Sequence, residues 1–469
     1  MSEEKAYTKI MAQFVKQLRY EELTDLAIQK AKEQILGILG TIFAGLDTVP
    51  GKILVETVRE WGDRAEATVI GTSVRTSIRG AVLANSCLAQ SYDYDDSVMY
   101  CHTGNSVIPV SLALAEKYKC SGEELLNTIV LGNEIEGRIG LSIHEGILRG
   151  QVLSVPCHLF GSAAIASRFM GLTEEQTLNA MGIAGYLSTV PNVAGFFGPH
   201  SKLLSSGFPC MMGIIAADLA SKGFTGSHEI LEARDGFCNS LAYTPHPEFL
   251  TAGLGKEGIL GRKFRIETLG IKEYPVCYYT VPPIEAAWDL MDKHGFSPED
   301  IDKIIVRAPA ELADSADVCR RPQHSNIKAL KNRKENSFIA VLFSTFPIAV
   351  GIIDKKLTIE QYNDERLLDP KVHELAEKVT YTHGGEMTLI MLREFKAVVE
   401  VEIWTKNGKR YRSRKPLQLG GQPPEVAEKK FHREARRILK QQTITEVLDT
   451  VKHLEELKDC SKLLEKLHK

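Results

Sequence analysis

The chain has 469 residues, with 57 Lys and Arg against 60 Asp and Glu, 43% hydrophobic residues and 25% charged ones. That length accommodates about two or three domains with a sizeable core, and so ordinary a composition excludes a disordered or collagen-like chain. A formal net charge of −3 gives no overall pull toward nucleic acid, so any charged ligand has to be held by a few placed side chains.

The opening MSEEKAYTKIMAQF lacks a basic stretch followed by an apolar one, so no secretory signal is expected. From Tyr20 to Ala44 apolar residues recur at helical spacing (Leu23, Ala27, Ala31, Ile35, Ile38, Leu39, Ile42), with Gly45 as a stop. Residues 76–92, 105–119, 122–144, 161–171, 174–187 and 205–222 also read as helices, two of them opened by the capping boxes Ser121/Glu124 and Thr173/Gln176. Near Gly261 the pattern changes. Strands are expected at 264–271, 301–308 and 397–405, the last turning at Asn407-Gly408 into a returning strand at 410–414. Helices at 282–294 and 337–352 lie between them. After Pro423 and Pro424 the chain turns helical again, with a capping box at Thr443/Glu446 and a stripe of Ile444, Val447, Leu448, Val451 and Leu454.

The expected class is therefore mainly α. A large all-helical domain is built from both chain ends (1–265 and 416–469), with a smaller α+β domain, 266–415, inserted between them. The longest apolar run, Phe338 to Ile353, carries Ser344, Thr345, Pro347 and Gly351 and is short for a membrane span, so a buried helix is expected and no membrane partner. The nine cysteines are scattered, odd in number and without a C-x-x-C pair. They read as reduced thiols of a cytoplasmic protein rather than a disulfide framework or zinc site. Gly253, Gly255 and Gly258 spell G-x-G-x-x-G, but no strand precedes them and no helix follows, so the dinucleotide reading fails and a linker is expected.

Three segments carry chemistry. Asp93, Asp95 and Asp96 crowd the end of a helix, where negative charge opposes the macrodipole. His102 follows, and Thr103 to Ser106 lead into the N–H groups of a new helix, a natural seat for a carboxylate or phosphate. An acid/base pair beside such a seat suits proton abstraction next to a carboxylate. A capped turn with a satisfied histidine would look the same. Lys202 precedes an apolar helix, and Lys272 follows a strand and meets Pro275 at the domain junction, where clefts commonly hold ligands. Either could hold a substrate carboxylate, or simply be solvated.

These segments share a resemblance. Asp93, Tyr94, Asp95, Asp96 and Ser97 with His102 resemble the D-F-D-D-T…H-P-[GS] signature of the MmgE/PrpD family, which includes 2-methylcitrate dehydratase, cis-aconitate decarboxylase and iminodisuccinate epimerase. GNEIEGRIG at 132–140, GSAAIASRFMGL at 161–172, Lys202 with Gly207, the run 217–237, and Lys272 with Tyr274 and Pro275 resemble further family segments in order, from about residue 6 to 455. The resemblance implies a homodimer with a metal-free and cofactor-free site between helical domain and lid, acting on a small di- or tricarboxylate. Asp93, Ser97 (in place of Thr), His102, Lys202 and Lys272 fall on family active-site positions. Asp93, His102, Lys202 and Lys272 are the catalytic candidates; Ser97, Thr103, Ser205, Tyr274 and His158 are candidates for substrate binding.

The chain also departs from the family pattern. One family histidine falls near Gln151 and Val152, with His158 six residues on; another is Ser205; a T-H pair becomes Thr280 and Val281; and a tyrosine found in the decarboxylase becomes Val318, ahead of Arg321 and Pro322. The leading expectation is a lyase that eliminates water through a carbanion next to a carboxylate, as 2-methylcitrate dehydratase does. Because hydroxide needs an acid to leave and these positions were candidates for it, an isomerase or epimerase is the second reading, and a non-catalytic carboxylate binder the third.

Overall fold

A computed structural model describes residues 6–99, 101–144, 154–188, 195–196, 199–258, 261–310, 313–314, 345–394, 398–417 and 420–469. Helices dominate up to Ser221: α1 (Tyr7–Gln17), α2 (Asp25–Gly45), α3 (Val49–Glu60), α4 (Ile78–Gln90), α5 (Gly104–Tyr118), α6 (Gly122–Ser142), α7 (Ser154–Phe169), α8 (Glu174–Tyr186) and α9 (Leu204–Ser221). Their starts are written in the sequence. Thr24, Thr48, Ser77, Ser121 and Thr173 each accept the backbone N–H three residues on, a cap contributing about 1 kcal/mol apiece. Helix α9 lies along α7, close enough that a Cβ at Gly213 would come within 2.6 Å of the Leu159 carbonyl oxygen.

The expected strand at 264–271 shrinks. Residues Arg265–Thr268 form a 3₁₀ turn, because the Arg265 N–H is drawn to the buried Glu134 carboxylate at 2.6 Å. Of the expected stretch only β4 (Gly270–Ile271) pairs as a strand, antiparallel with β3 (Asp96–Ser97), after the short pair β1 (Ala67–Thr68) and β2 (Arg75–Thr76). Beyond it come α10 (Val281–His294), β5 (Ile301–Ala308), α11 (Thr345–Asp354), α12 (Pro370–Glu377), β6 (Val379–His383), α13 (Gly385–Glu394), β7 (Val398–Thr405) and β8 (Arg410–Pro416). The four longer strands form one sheet in the order β6-β5-β7-β8, parallel only between β5 and β6. The hairpin turns at Asn407-Gly408 with Gly408 at φ 80°, as its sequence requires. The chain closes with α14 (Glu425–Ala435), α15 (Gln441–Lys452) and α16 (Ser461–Leu467). Helix α15 starts at Gln441, with Lys440 as its extended N-cap, so Thr443 lies inside the helix and the expected capping box does not form.

One apolar cluster runs through residues between Met11 and Ile271 and again between Ala427 and Leu467. A second runs from Val276 to Leu417 and takes in Ala44, Tyr92 and Tyr94. The acidic turn thus stands where the two meet. The stretch His200–Ser221 has the length and apolar character to cross a membrane, but 61% of its apolar window is buried within the fold, against α4, α7 and α8. The part of the apolar run 338–353 that is described, from Thr345, is a buried helix. Residues 337–344, the start of the expected strand at 397, and the departures near 151–152 and at 318–322 lie outside the described residues.

Candidate active site

Helix α4 ends at Gln90 and the chain folds back on itself, with the Asp93 N–H donating to the Gln90 carbonyl at 3.0 Å. Asp93 adopts a left-handed conformation, φ 49°, which aspartate tolerates better than most residues. The turn then enters β3, and its pairing with β4 carries Lys272 onto it. Lys272 Nζ reaches Asp93 Oδ2 at 3.0 Å and Asp95 Oδ1 at 3.1 Å and donates to the Asp93 carbonyl. From the other side Lys202, just ahead of α9, forms an ion pair with Asp93 Oδ1. Both lysines are 2% exposed. The carboxylates that a helix end alone could not tolerate are therefore neutralised by two cations brought from distant parts of the chain.

Burial would raise the carboxyls of Asp93 and Asp95. Lys202 and Lys272 overcome it for Asp93, and His102 and Lys272 for Asp95, holding both well below the usual carboxylate range. The Lys272 ammonium is correspondingly held above its ordinary value, since Asp93 and Asp95 outweigh its burial. Asp96 behaves differently. Burial, reinforced by the neighbouring Asp95 charge, pushes it up to about 7 against the opposing hydrogen bond from Gly104.

That bond corrects one expectation. The seat formed by Thr103 to Ser106 at the start of α5 is already taken: Gly104 N–H donates to Asp96 Oδ1 at 2.9 Å. The fit is so close that a Cβ at Gly104 would lie 2.1 Å from Asp96 Oδ2. The anion favoured by the free N–H groups of this helix is the protein's own.

His102 differs from its neighbours in reaching the surface, its side chain 34% exposed. Its Nδ1 lies 2.9 Å from the Asp96 carbonyl oxygen and 3.2 Å from Asp95 Oδ2. A carbonyl oxygen only accepts, so Nδ1 carries a hydrogen, and Nε2 is the nitrogen that gains or gives up a proton. The ring lies 6.4 Å from that of Tyr278, which in turn faces Lys272 Nζ at 4.8 Å. Ser97, buried on β3, sits beside the Tyr278 phenol.

The remaining candidates lie further off. Thr103 turns inward, accepting from Gln34 at 3.1 Å and donating to Asn133. Ser205 donates to Gln90 at 3.3 Å, one step removed from the turn. Tyr274 packs edge-on against Trp288 of α10, ring centroids 5.8 Å apart. His158 is fully buried, its Nδ1 2.9 Å from Glu136 Oε2, and Glu136 also accepts from Ser106 at 2.7 Å. In these contacts His158 belongs to a buried chain through α6 and α5 rather than to the lysine cluster. Asn105, which donates to Asp95 Oδ2 at 2.7 Å, Tyr278 and Lys430 were missed by the sequence reading. A lysine on the apolar stripe of Ala427, Phe431 and Ala435 was the available signal for the last.

A buried carboxylate turn crossed by two lysines, with one partly exposed histidine at its rim, has the makings of a proton-transfer site for anionic substrates. Comparison with known proteins gives this architecture its class. The MmgE/PrpD N-terminal domain model matches residues 9–250 and the MmgE/PrpD C-terminal domain model residues 274–455. The chain belongs to the MmgE/PrpD family. Among curated proteins it is similar to human cis-aconitate decarboxylase, 26% identical over 98% of this chain and 94% of that protein. The mouse cis-aconitate decarboxylase is 25% identical over 98% and 93%. These relationships support an enzyme of the lyase type.

Proposed function

We propose that this protein is a cofactor-free lyase that forms a carbanion next to a carboxylate in a small di- or tricarboxylate, with loss of CO₂ from a cis-aconitate-like substrate as its reaction. The observation that carries the proposal is His102, partly exposed and fixed in one tautomer by Asp95 and the Asp96 carbonyl, at the edge of an Asp93/Asp95 turn that two buried lysines hold. Substrate carboxylates take over part of the pairing that Asp93 and Asp95 now provide to Lys202 and Lys272. The same ammonium groups then stabilise the charge that develops when CO₂ departs. His102 takes a proton from solvent at Nε2, the Asp95 carboxylate stabilising the imidazolium, and gives it to the carbanion left by CO₂, which returns the ring to the tautomer with its hydrogen on Nδ1. Asp93, held ionised by two lysines, is a poor base and serves to place them. Ser97 orients a substrate carboxylate.

Elimination of water from a 2-methylcitrate-like substrate also forms a carbanion next to a carboxylate, but it needs two proton-transfer groups, a base for the α-proton and an acid for the leaving hydroxide. Decarboxylation needs only one, and the full-length relatives carry that name. Epimerisation is the second reading, favoured by the serine at 205, where the family has a histidine. The inserted 266–415 unit acts as a lid over the turn, and two chains form a homodimer; light scattering at the mass of one chain would exclude the dimer.

The test is incubation in D₂O with cis-aconitate, 2-methylcitrate, citrate and iminodisuccinate, followed by NMR. Release of CO₂ from cis-aconitate with new alkene signals is the expected result. Water loss from 2-methylcitrate alone would reassign the leaving group, and deuterium entry without net loss would favour the epimerase. Silence across the panel would overturn the proposal.

A further inference from the structure

The acidic turn meets a third lysine, from the far end of the chain. Lys430 lies on α14 in the stripe Ala427, Lys430, Phe431 and Glu434, and is 1% exposed. Its position is set by close backbone packing: a Cβ at Gly40 of α2 would stand 3.2 Å from the Phe431 backbone. Lys430 Nζ donates to the Tyr94 carbonyl and lies 3.9 Å from the centroid of the Tyr94 ring. Tyr94 sits between Asp93 and Asp95, and its hydroxyl donates at 3.0 Å to the carbonyl of Glu273, the residue after Lys272.

Burying an ammonium is costly, and an apolar side chain of similar length would fill the same volume. Burial does push the Lys430 ammonium down, to about 7, with Asp96, Asp95 and Glu434 resisting and Lys272 adding to the fall; the Arg433 guanidinium, paired with Glu434, lies 5.7 Å from the centroid of the same Tyr94 ring. What the ion gains over a methionine there is its grip on the Tyr94 carbonyl and the face of its ring.

We propose that Lys430 is a positioning residue for the reaction: its hold on Tyr94 keeps Asp93 in its left-handed conformation and so presents Asp93 to Lys202 and Lys272 and Asp95 to His102. The inference rests on the turn being the reaction site, as proposed above. Lys430 acts through Tyr94, and α14 thereby completes a site otherwise assembled from residues 93–102, 202 and 272.

The test compares Lys430→Met and Lys430→Arg with the wild type in two readouts. One is kcat and KM on whichever polycarboxylate of the panel the wild type turns over. The other is hydrogen–deuterium exchange of the peptide covering 91–99, which needs no turnover. Lys430→Met is expected to lower kcat by about 10-fold or more with KM within about 3-fold. It should also speed exchange at 91–99 by about 10-fold, with peptides from α5 to α8 unchanged. Lys430→Arg, which keeps a cation for the carbonyl and ring, is expected to restore most of both. Wild-type exchange at 91–99 in Lys430→Met would overturn the proposal, as would wild-type kcat. If the wild type turns over none of the polycarboxylates, the reading of the site fails, while the exchange arm still decides whether Lys430 holds the turn. Should Lys430→Met not fold, Lys430→Gln takes its place with the same two readouts.

Discussion

Glu400 and Glu402 on β7, and Asp93, Asp95 and Asp96 after α4, are both groups of carboxylates sunk below the surface and met by several cations. On the sheet the cations are arginines: Arg307 from β5 and Arg410, Arg412 and Arg414 from β8 reach across to the two glutamates. Alternate residues of a strand share a face, so the pairing is a direct product of the register between β7 and β8. The guanidinium groups remain in contact with water and supply more donors than the glutamates require. Glu402 is held down at about 2, burial being outweighed by bonds from Arg410, Trp404, Arg307 and Arg412.

At the turn the cations are lysines, buried along with their partners, and each is a compact point charge rather than a planar fork. Asp96 and Lys430 are both pushed by burial toward the neutral state. The difference separates a settled structure from a poised one. The spare donors of the sheet cluster face water, so it is satisfied without another anion. The turn cluster keeps its lysines dry and its carboxylates under tension, so a substrate carboxylate entering beside His102 has partners to take.

The sharpest way to break that contrast is to remove the cation shared by two aspartates. Lys272→Met leaves Asp93 and Asp95 short of a buried partner, and deleting one side of a buried pair typically destabilises by about 3–5 kcal/mol. Urea denaturation should show a loss of that order, and turnover should vanish. Full activity in this variant would sink the proposed site.

His102→Ala separates chemistry from stability. The ring is partly exposed, so the expected change in stability is below about 1 kcal/mol. Loss of the proton carrier should nevertheless lower kcat by about 10²–10⁴-fold. A large fall in melting temperature with turnover largely kept would recast His102 as a structural cap on Asp95.

The parts legible in the sequence were those whose signals are local. Helix periods, the caps at Ser121 and Thr173 and the Asn407-Gly408 hairpin depend on residues a few positions apart, and they hold, whereas the box expected at Thr443/Glu446 does not form. The motif order named Asp93, His102, Lys202 and Lys272, and the fold brings these four together. Strand β6 was missed because Val379 to His383 alternate poorly: Val379 alone is buried, and the strand is held by its parallel pairing to β5. Lys430 and the occupant of the α5 seat were hidden for a related reason. Their partners lie hundreds of residues away or depend on one backbone bend at Asp93, and spacing alone cannot show that Asp96 folds back onto Gly104.

The smallest expected effect is at the sheet. Glu402→Gln removes a carboxylate whose proton affinity is lowered in the folded state, so its stabilising contribution is complete above the ordinary glutamate value of 4.5 and is lost as pH falls to about 2. The wild type should therefore lose stability more steeply than the variant across that window, measured by thermal melts at a series of pH values. At neutral pH the variant should be weaker by less than about 1 kcal/mol, since the arginines are solvent-screened, and its turnover should equal that of the wild type. Equal slopes in acid would show that the arginines do not hold Glu402 down. Lost turnover would show that the sheet and the turn act as one unit, which is the reverse of what their different cations and burial imply.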